Sequence, residues 1–372
     1  MTDYIIREVD NKKDFKKFIS LPDRLYRNTP QYVPNLKSDE KKIFTKSPCL
    51  EYCKMKMWIV LKVDKCVGRI CGIINPKYNE IYKTKRARFG WIEFEKDIEI
   101  ARLLINKAQE WAKSEGMNEI HGPLGYNTWY KQGMLIEGFD NIPPTNCIYN
   151  FSYYPEFIQK LGFEKEIDWV QYKLSANQGS TERLDRLSKI LLEKYPLKVI
   201  NVNKLKKQSS VAELFFKNYN KTFRSVYNFV PLSRDEVEVL GKHYISLLRP
   251  ELNCFVMDDE EIIAAYGVCM PFMSKAFQKT KGHLFPFGWI SLLHEFRHYD
   301  TIDLMMVGVD PKWKSRGVSS IFHSYLAHSF QKNKIKYAIT NPQIENNPAV
   351  KVWDSYKNKE LYMRRRCFIK KI

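Results

Sequence analysis

The sequence predicts an α/β (α+β) fold made of two successive domains, and three observations carry that expectation. At 372 residues, with 44% hydrophobic and 14% aromatic side chains, the chain is long enough for about two cores and too apolar for long disorder. Each half reads β-β-β-α-β-α-β in the same order. Thr301 to Ser320, TIDLMMVGVDPKWKSRGVSS, runs an apolar strand into a Pro-bearing turn, a basic loop and a helix.

In the first half, Met57–Val63 and Val67–Ile74 form a hairpin turning at Asp64-Lys65. Arg88–Phe94 follows as a strand. Ile98–Lys113 carries a helical apolar stripe and ends at Gly116. Asn118–His121 is a short strand, and after an insertion Tyr153–Leu161 reads as a helix and Phe163–Leu174 as a strand. Ser175–Ser180, SANQGS, is the most linker-like run, which places the domains at 1–175 and 176–372.

The second half repeats the plan. Asn253–Met257 and Ile262–Met270 pair around Asp258-Asp259, and the apolar strand that opens Thr301–Ser320 supplies the third. Val318, Ile321, Phe322, Tyr325, Leu326 and Phe330 mark a helix over Gly317–Lys332. Ile335–Thr340 is a strand broken by Asn341-Pro342, Asn347–Tyr356 a helix, and Tyr362–Ile369 a closing strand. Between strand and helix, Gly317 lets backbone approach a ligand, and the helix start offers orphan N–H groups with a positive dipole end. Lys314 and Arg316 add positive charge, so this junction suits a pyrophosphate. At the matching place the first half has only Lys96-Asp97, without a glycine loop.

Composition narrows the function. Met1–Lys13 lacks the apolar core of a secretion signal and no run is apolar enough to span a membrane, which points to the cytoplasm. Cys49/Cys53 and Cys66/Cys71 lack zinc-ribbon spacing, so the eight cysteines read as reduced thiols and no metal is expected. The formal charge of +19 suits an anionic partner: a nucleotide cofactor, an acidic acyl carrier protein or an anionic membrane surface. No nucleic-acid motif accompanies it. HEFRH, His294–His298, satisfies the HExxH zinc pattern, but Arg297 sits inside it and no third ligand follows.

The segment Lys314, Ser315, Arg316, Gly317, Val318, Ser319 resembles motif A of the GCN5-related N-acetyltransferases, in which Gln/Arg, two residues, Gly, one residue and Gly/Ala open a helix. Gly317 is retained, whereas Lys314 and Ser319 replace the outer anchors. Gly122–Asp140, Tyr149–Leu174, Lys281–Trp289, TNPQIENN and RRRCFIKK are similar to a family of uncharacterised two-domain acetyltransferase-like proteins common in Bacteroidetes-type bacteria. Where those proteins often carry acidic residues, this chain has Trp129, Tyr130 and Lys131.

The resemblance implies two tandem acyl-CoA N-acyltransferase-like domains, each a mixed, mostly antiparallel sheet flanked by helices, the first degenerate and the second binding acyl-CoA. It implies backbone groups of Val307 and Val309 at the pantetheine arm. The family's acid is a Tyr about seven residues past an Asn; counting from Asn346 reaches Trp353, so Tyr356 on the same helical face is the substitute, with Glu345 the nearest base. Glu137, Asp140, Asn150, Tyr153 and Tyr154 of the first insertion, with Asn341 and Asn346, are candidates for the acceptor. The insertion Pro271–Thr301 interleaves aromatics with Lys and His, as a lid, an interfacial segment or a packing element would.

The expected activity is N-acyl transfer from acyl-coenzyme A to a small-molecule or lipid amine. A catalytically silent acyl-CoA-binding protein and a long-chain amine N-acyltransferase peripheral to the inner membrane face are the alternatives.

Overall fold

The computed structural model describes residues 4–176, 181–206, 211–347, 353–354 and 358–372. The chain divides into two compact units: Met1–Val170, Met273–His294 and Met363–Ile372 form the first, Gln171–Phe272 and Glu295–Tyr362 the second.

The first unit contains β1 (Tyr4–Glu8), α1 (Lys12–Leu25), α2 (Lys37–Thr45), β2 (Lys54–Lys62), β3 (Lys65–Ile74), α3 (Pro76–Tyr82), β4 (Arg86–Phe94), α4 (Ile98–Ser114), β5 (Glu119–Gly122), β6 (Met134–Glu137), α5 (Tyr153–Lys160) and the start of β7 (Glu164–Ser175). β1 to β4 pair antiparallel in chain order, and β5 joins β4 in parallel. Beyond β5 lies the last strand, β14 (Glu360–Lys371), with β6 also on it.

The helix α4 shows how sequence places these layers. Ile100, Ala101, Leu104, Ile105, Ala108, Trp111 and Ala112 fall at helical spacing and are all buried. They meet β3 at Gly68 and Gly72, where a Cβ would stand 2.5 Å from Ile100 and 2.8 Å from Trp111. Asp97 caps the helix by accepting from the Glu99 N–H at 2.9 Å, and Tyr4 O–H donates to it at 2.7 Å. That bond, with burial next, pushes the Tyr4 phenol up to about 12. Asp97→Ala is expected to cost about 1 kcal/mol of stability, which urea unfolding beside Tyr4→Phe would measure.

The second unit holds the rest of β7, then α6 (Glu182–Lys194), β8 (Lys198–Ile200), α7 (Val202–Lys206), α8 (Val211–Thr222), α9 (Arg234–Tyr244), β9 (Asn253–Met257) and β10 (Ile263–Pro271). After the insertion come β11 (Thr301–Val309), α12 (Ser319–Lys332), β12 (Tyr337–Thr340) and β13 (Gln343–Ile344). The sheet order is β12-β11-β10-β9-β8, with Lys173–Ser175 of β7 antiparallel to β12. Only β11 and β12 pair in parallel among these. α12 buries Ile321, Phe322, Leu326 and Phe330, and Gly267 of β10 lies so close to Leu326 that a Cβ would come within 2.8 Å. The helix expected over Asn347–Tyr356 falls mostly outside the described residues.

The units depart from a single cut at residue 175 in two places. The insertion forms α10 (Ser274–Thr280) and α11 (Gly288–Arg297), and its part from Met273 to His294 belongs to the first unit. Ser274 Oγ donates to the Pro143 carbonyl at 2.7 Å, Gln278 Nε2 to those of Pro30 and Tyr32 at 2.6 and 3.1 Å, and Lys37 N–H to that of Gly282 at 3.0 Å. Met363–Ile372 likewise belongs there because β14 pairs with β5.

Candidate active site

In the second unit the parallel ladder runs from Thr301 opposite Tyr337 to Leu304 opposite Thr340. It closes with Asn341 N–H on the Leu304 carbonyl at 3.0 Å. β11 continues to Val309 against β10 alone, with an extra residue, Met305, bulged between Leu304 and Met306. Leu304 to Val307, and Val309, stay partly exposed although β11 is an inner strand. Beyond the end of its pairing with β12, β11 therefore carries partly exposed apolar residues, Leu304, Met305 and Val307, while Met306 packs against the core of the second unit.

β11 ends in a braced turn. Asp310 accepts from Lys312 N–H at 2.9 Å, and buried Trp313 donates its Nε1–H to Asp258 at 3.3 Å. Lys314, Ser315, Arg316 and Gly317 then project into solvent, with Ser315 and Gly317 in the left-handed region at φ 63° and 77°. The nearest atom to a Cβ on Gly317 would be 3.9 Å away, so that residue is set by its backbone conformation and not by crowding. Ser320 N–H and Oγ both bond the Gly317 carbonyl as α12 begins. Buried Val318 anchors the helix start, and Ser319 is partly exposed. The Arg316 guanidinium lies 5.2 Å from the Trp313 ring centre and 5.6 Å from that of Tyr195. Two cationic side chains, a glycine and a helix start therefore share one exposed turn, an arrangement that can hold a diphosphate.

The other expected residues divide between the units. Asn341, Glu345 and Asn346 follow β12 in the second unit, Asn346 exposed and the other two partly so. Tyr356 lies outside the described residues. Trp353 is buried, its Nε1–H donating to Gln343 at 2.7 Å. In the first unit Glu137 and Asp140 are on the surface, because β6 alternates outward there and Glu137 pairs with Arg364 at 3.1 Å. Asn150 bridges the Leu135 N–H and carbonyl at 2.7 and 3.1 Å and so holds β6. Tyr153 O–H donates to the Phe94 carbonyl at 2.8 Å.

Tyr154 belongs to a cavity of about 60 Å³ in the first unit, lined also by Tyr32, Glu40, Arg69, Glu93, Lys131, Tyr149 and Asn150. Tyr26 and Tyr154 place their hydroxyls 2.5 and 3.0 Å from Glu93, and Arg69 bonds Glu40 at 3.0 Å and stands 3.9 Å from Glu93. Burial pushes the Glu93 carboxyl up to about 7, against Arg69 and the two hydroxyls. Burial brings the Lys131 ammonium down to about 8. The strand geometry of the second unit is present here too: β4 bulges at Trp91, φ 47°, and pairs with β5 only as far as Arg88. The outcome differs. Leu124 N–H closes on the Phe89 carbonyl at 2.9 Å, Tyr154 takes the Phe94 N–H at 2.9 Å, and Asp97 occupies the α4 start. A Cβ on Gly90 would come within 2.4 Å of the Leu124 carbonyl oxygen, so this cleft is filled by its own chain.

Sequence reading passed over Glu93, Arg69, Glu40, Tyr26 and Tyr32. The available signal was a charge inside an apolar strand, as in VGRICGII and FGWIEF. Among the described residues the one grouping of potential metal ligands is His121, Glu166 and Cys367 in the first unit, which does not include HEFRH. There Glu166 receives Arg86 at 2.8 Å, His121 Nδ1 at 3.0 Å and the Cys367 thiol at 3.4 Å, which makes it a hydrogen-bonded cluster. Burial holds His121 below its ordinary value. The eight cysteines are buried as thiols. No described helix is long and apolar enough to cross a membrane.

No protein-family model matches the chain. It is 25% identical to Protein YghO of Escherichia coli (strain K12), covering 99% of this chain and 95% of that protein. To the bacterial ceramide synthase of Caulobacter vibrioides it is 23% identical, covering 78% of this chain and 76% of that one. Among solved structures it is similar to a tandem GNAT protein from the clavulanic acid biosynthesis pathway, with a TM-score of 0.58 at 10% identity over 99% of this chain and 98% of the other. The fold is that of the GCN5-related N-acetyltransferases, in tandem.

Proposed function

We propose that this protein, which carries the GCN5-related N-acetyltransferase fold in tandem, moves an acyl group from acyl-coenzyme A to an amine, with the donor bound in the second unit. The observation that carries this reading is one of order along the chain: β11, with its bulge and partly exposed apolar residues, leads through a braced turn to exposed Lys314, Ser315, Arg316 and Gly317 at the start of α12. A diphosphate fits the turn, with Lys314, Arg316 and the N–H groups opening α12 as donors. The pantetheine arm follows β11 past Val309 and Val307, and bulged Met305 meets the apolar acyl chain.

In the reaction the amine nitrogen attacks the thioester carbonyl carbon. A C–N bond forms, the C–S bond breaks, and the amine proton passes to a base while the departing thiolate is protonated. Glu345 is the base in this reading and Tyr356 the acid, Tyr356 standing in for the position the family resemblance implies, which Trp353 occupies here.

A finer reading is that the amine has a long chain. The similarity to a bacterial ceramide synthase over 78% of this chain favours it, as do the partly exposed apolar residues Leu304, Met305 and Val307 of β11. A thiol-release assay with acetyl-CoA and palmitoyl-CoA against short and long-chain amines tests both readings. Release with palmitoyl-CoA and long-chain amines supports the finer one, and release confined to acetyl-CoA and short amines overturns it. Donor binding with no thiol released from any pair overturns the enzyme and leaves a sensor of acyl-CoA. Loss of turnover, with binding kept, in Glu345→Gln and Tyr356→Phe is the expected sign of their roles.

A further inference from the structure

We propose that Lys275 to Leu293, in the first unit, is a docking surface for an anionic lipid bilayer. Phe285 and Phe287 flank Pro286 at the tip of the loop between α10 and α11 and are 73% and 74% exposed. Trp289, Ile290 and Leu293 follow at spacings that share one face of α11, and they too are exposed. Five large apolar side chains thus stand in water within nine residues of sequence, counted from Phe285 to Leu293. Single exposed hydrophobics are ordinary on a soluble surface, but a contiguous group ringed by charge marks an interaction site.

The charge around them selects the partner. Lys275, Lys279, Lys281, His283 and His294 are exposed, and from Met273 to His294 the sequence carries no carboxylate. A second copy of the same surface would bring these lysines against each other, which is repulsive. An anionic bilayer accepts both parts at once: lysines at the headgroups, aromatic and aliphatic side chains at the acyl boundary. The loop is presented on a fixed base. Ser274, Gln278 and Gly282 are tied to Pro143, Pro30, Tyr32 and Lys37, so the apolar tip is not free to fold back without breaking these bonds. The surface is independent of whether the second unit turns over acyl-CoA.

The test is flotation of the full-length protein with vesicles of phosphatidylcholine alone and of equal parts phosphatidylcholine and phosphatidylglycerol. The protein is expected to float with the mixed vesicles, and to stay behind with neutral ones or in high salt. Phe285→Glu with Phe287→Glu should weaken partitioning at least tenfold. Lys275→Ala, Lys279→Ala and Lys281→Ala together should weaken it on the order of a hundredfold. All five side chains are exposed, so the thermal transition should be unchanged in both variants. Brominated acyl chains should quench Trp289, and Trp289→Phe should remove that quenching. Equal partitioning of parent and variants, or a dimer in the parent that the phenylalanine variant dissolves while vesicles have no effect, would overturn the proposal.

Discussion

Titration of the full-length protein with acyl-coenzyme A is expected to raise its unfolding temperature by a few degrees, and Gly317→Glu is expected to abolish the rise. A ligand at about one hundred times its Kd stabilises the state that binds it by about 2.7 kcal/mol. The substitution acts twice at the turn. It forces a side chain onto a backbone at φ 77°, and it sets a carboxylate where the phosphates would meet Lys314 and Arg316. Gly317→Asn separates the two effects, since asparagine tolerates the left-handed region and adds no charge. Retained stabilisation in Gly317→Asn and none in Gly317→Glu identifies the turn as the phosphate site. Stabilisation of equal size in Gly317→Glu places the donor elsewhere.

The second large effect is on pH. Glu93 keeps its proton in the folded protein up to about 7, whereas the ordinary glutamate value is 4.5. Between those values the native state binds more protons than the unfolded one, so this group's stabilisation is complete below 4.5 and lost as pH rises through 7. Glu93→Gln cannot titrate. Relative to the parent it should therefore gain stability as pH is raised from 4 to 8, by up to about 3 kcal/mol. Half-buried His323, brought down to about 4 by the loss of solvent around it, works in the opposite sense over part of the same range. The difference between parent and variant is thus the quantity to measure, by urea unfolding at each pH. A difference that stays constant from pH 4 to 8 would show that Glu93 is ionised throughout.

Much of the architecture was legible because it is written in periodicity. β9 is read at its observed bounds, and β3, β4, α4 and α12 within a few residues, the helices because they bury a stripe at helical spacing and the strands because they are short, largely apolar runs buried on both faces. The strand-turn-helix at Thr301–Ser320 was legible for the same reason, with Pro311 and Gly317 as punctuation. The cavity at Glu93 was not. Its polar groups come from α2, β3, β4, α5 and loops far apart in sequence, and nothing local says that Arg69 and Glu93 converge. The membership of Met273–His294 was hidden for another reason: its ties end on the carbonyls of Pro30, Tyr32 and Pro143, which any residue type would supply equally. Glu137 ends β6 opposite Arg364 of β14, a partner more than two hundred residues later, and Asp140 lies in the exposed turn beyond it.

That late partner also fixes an order of events during synthesis. A ribosome releases most of the first unit early, yet β5 has no neighbour on its outer side until Met363–Ile372 has emerged. The unit that begins the chain is therefore finished after the one that follows it, and in the interval the backbone edge of β5 is open to mispairing. Removal of the last ten residues, Met363–Ile372, should accordingly damage the amino-terminal half, with the cleavage and aggregation expected of an uncovered strand.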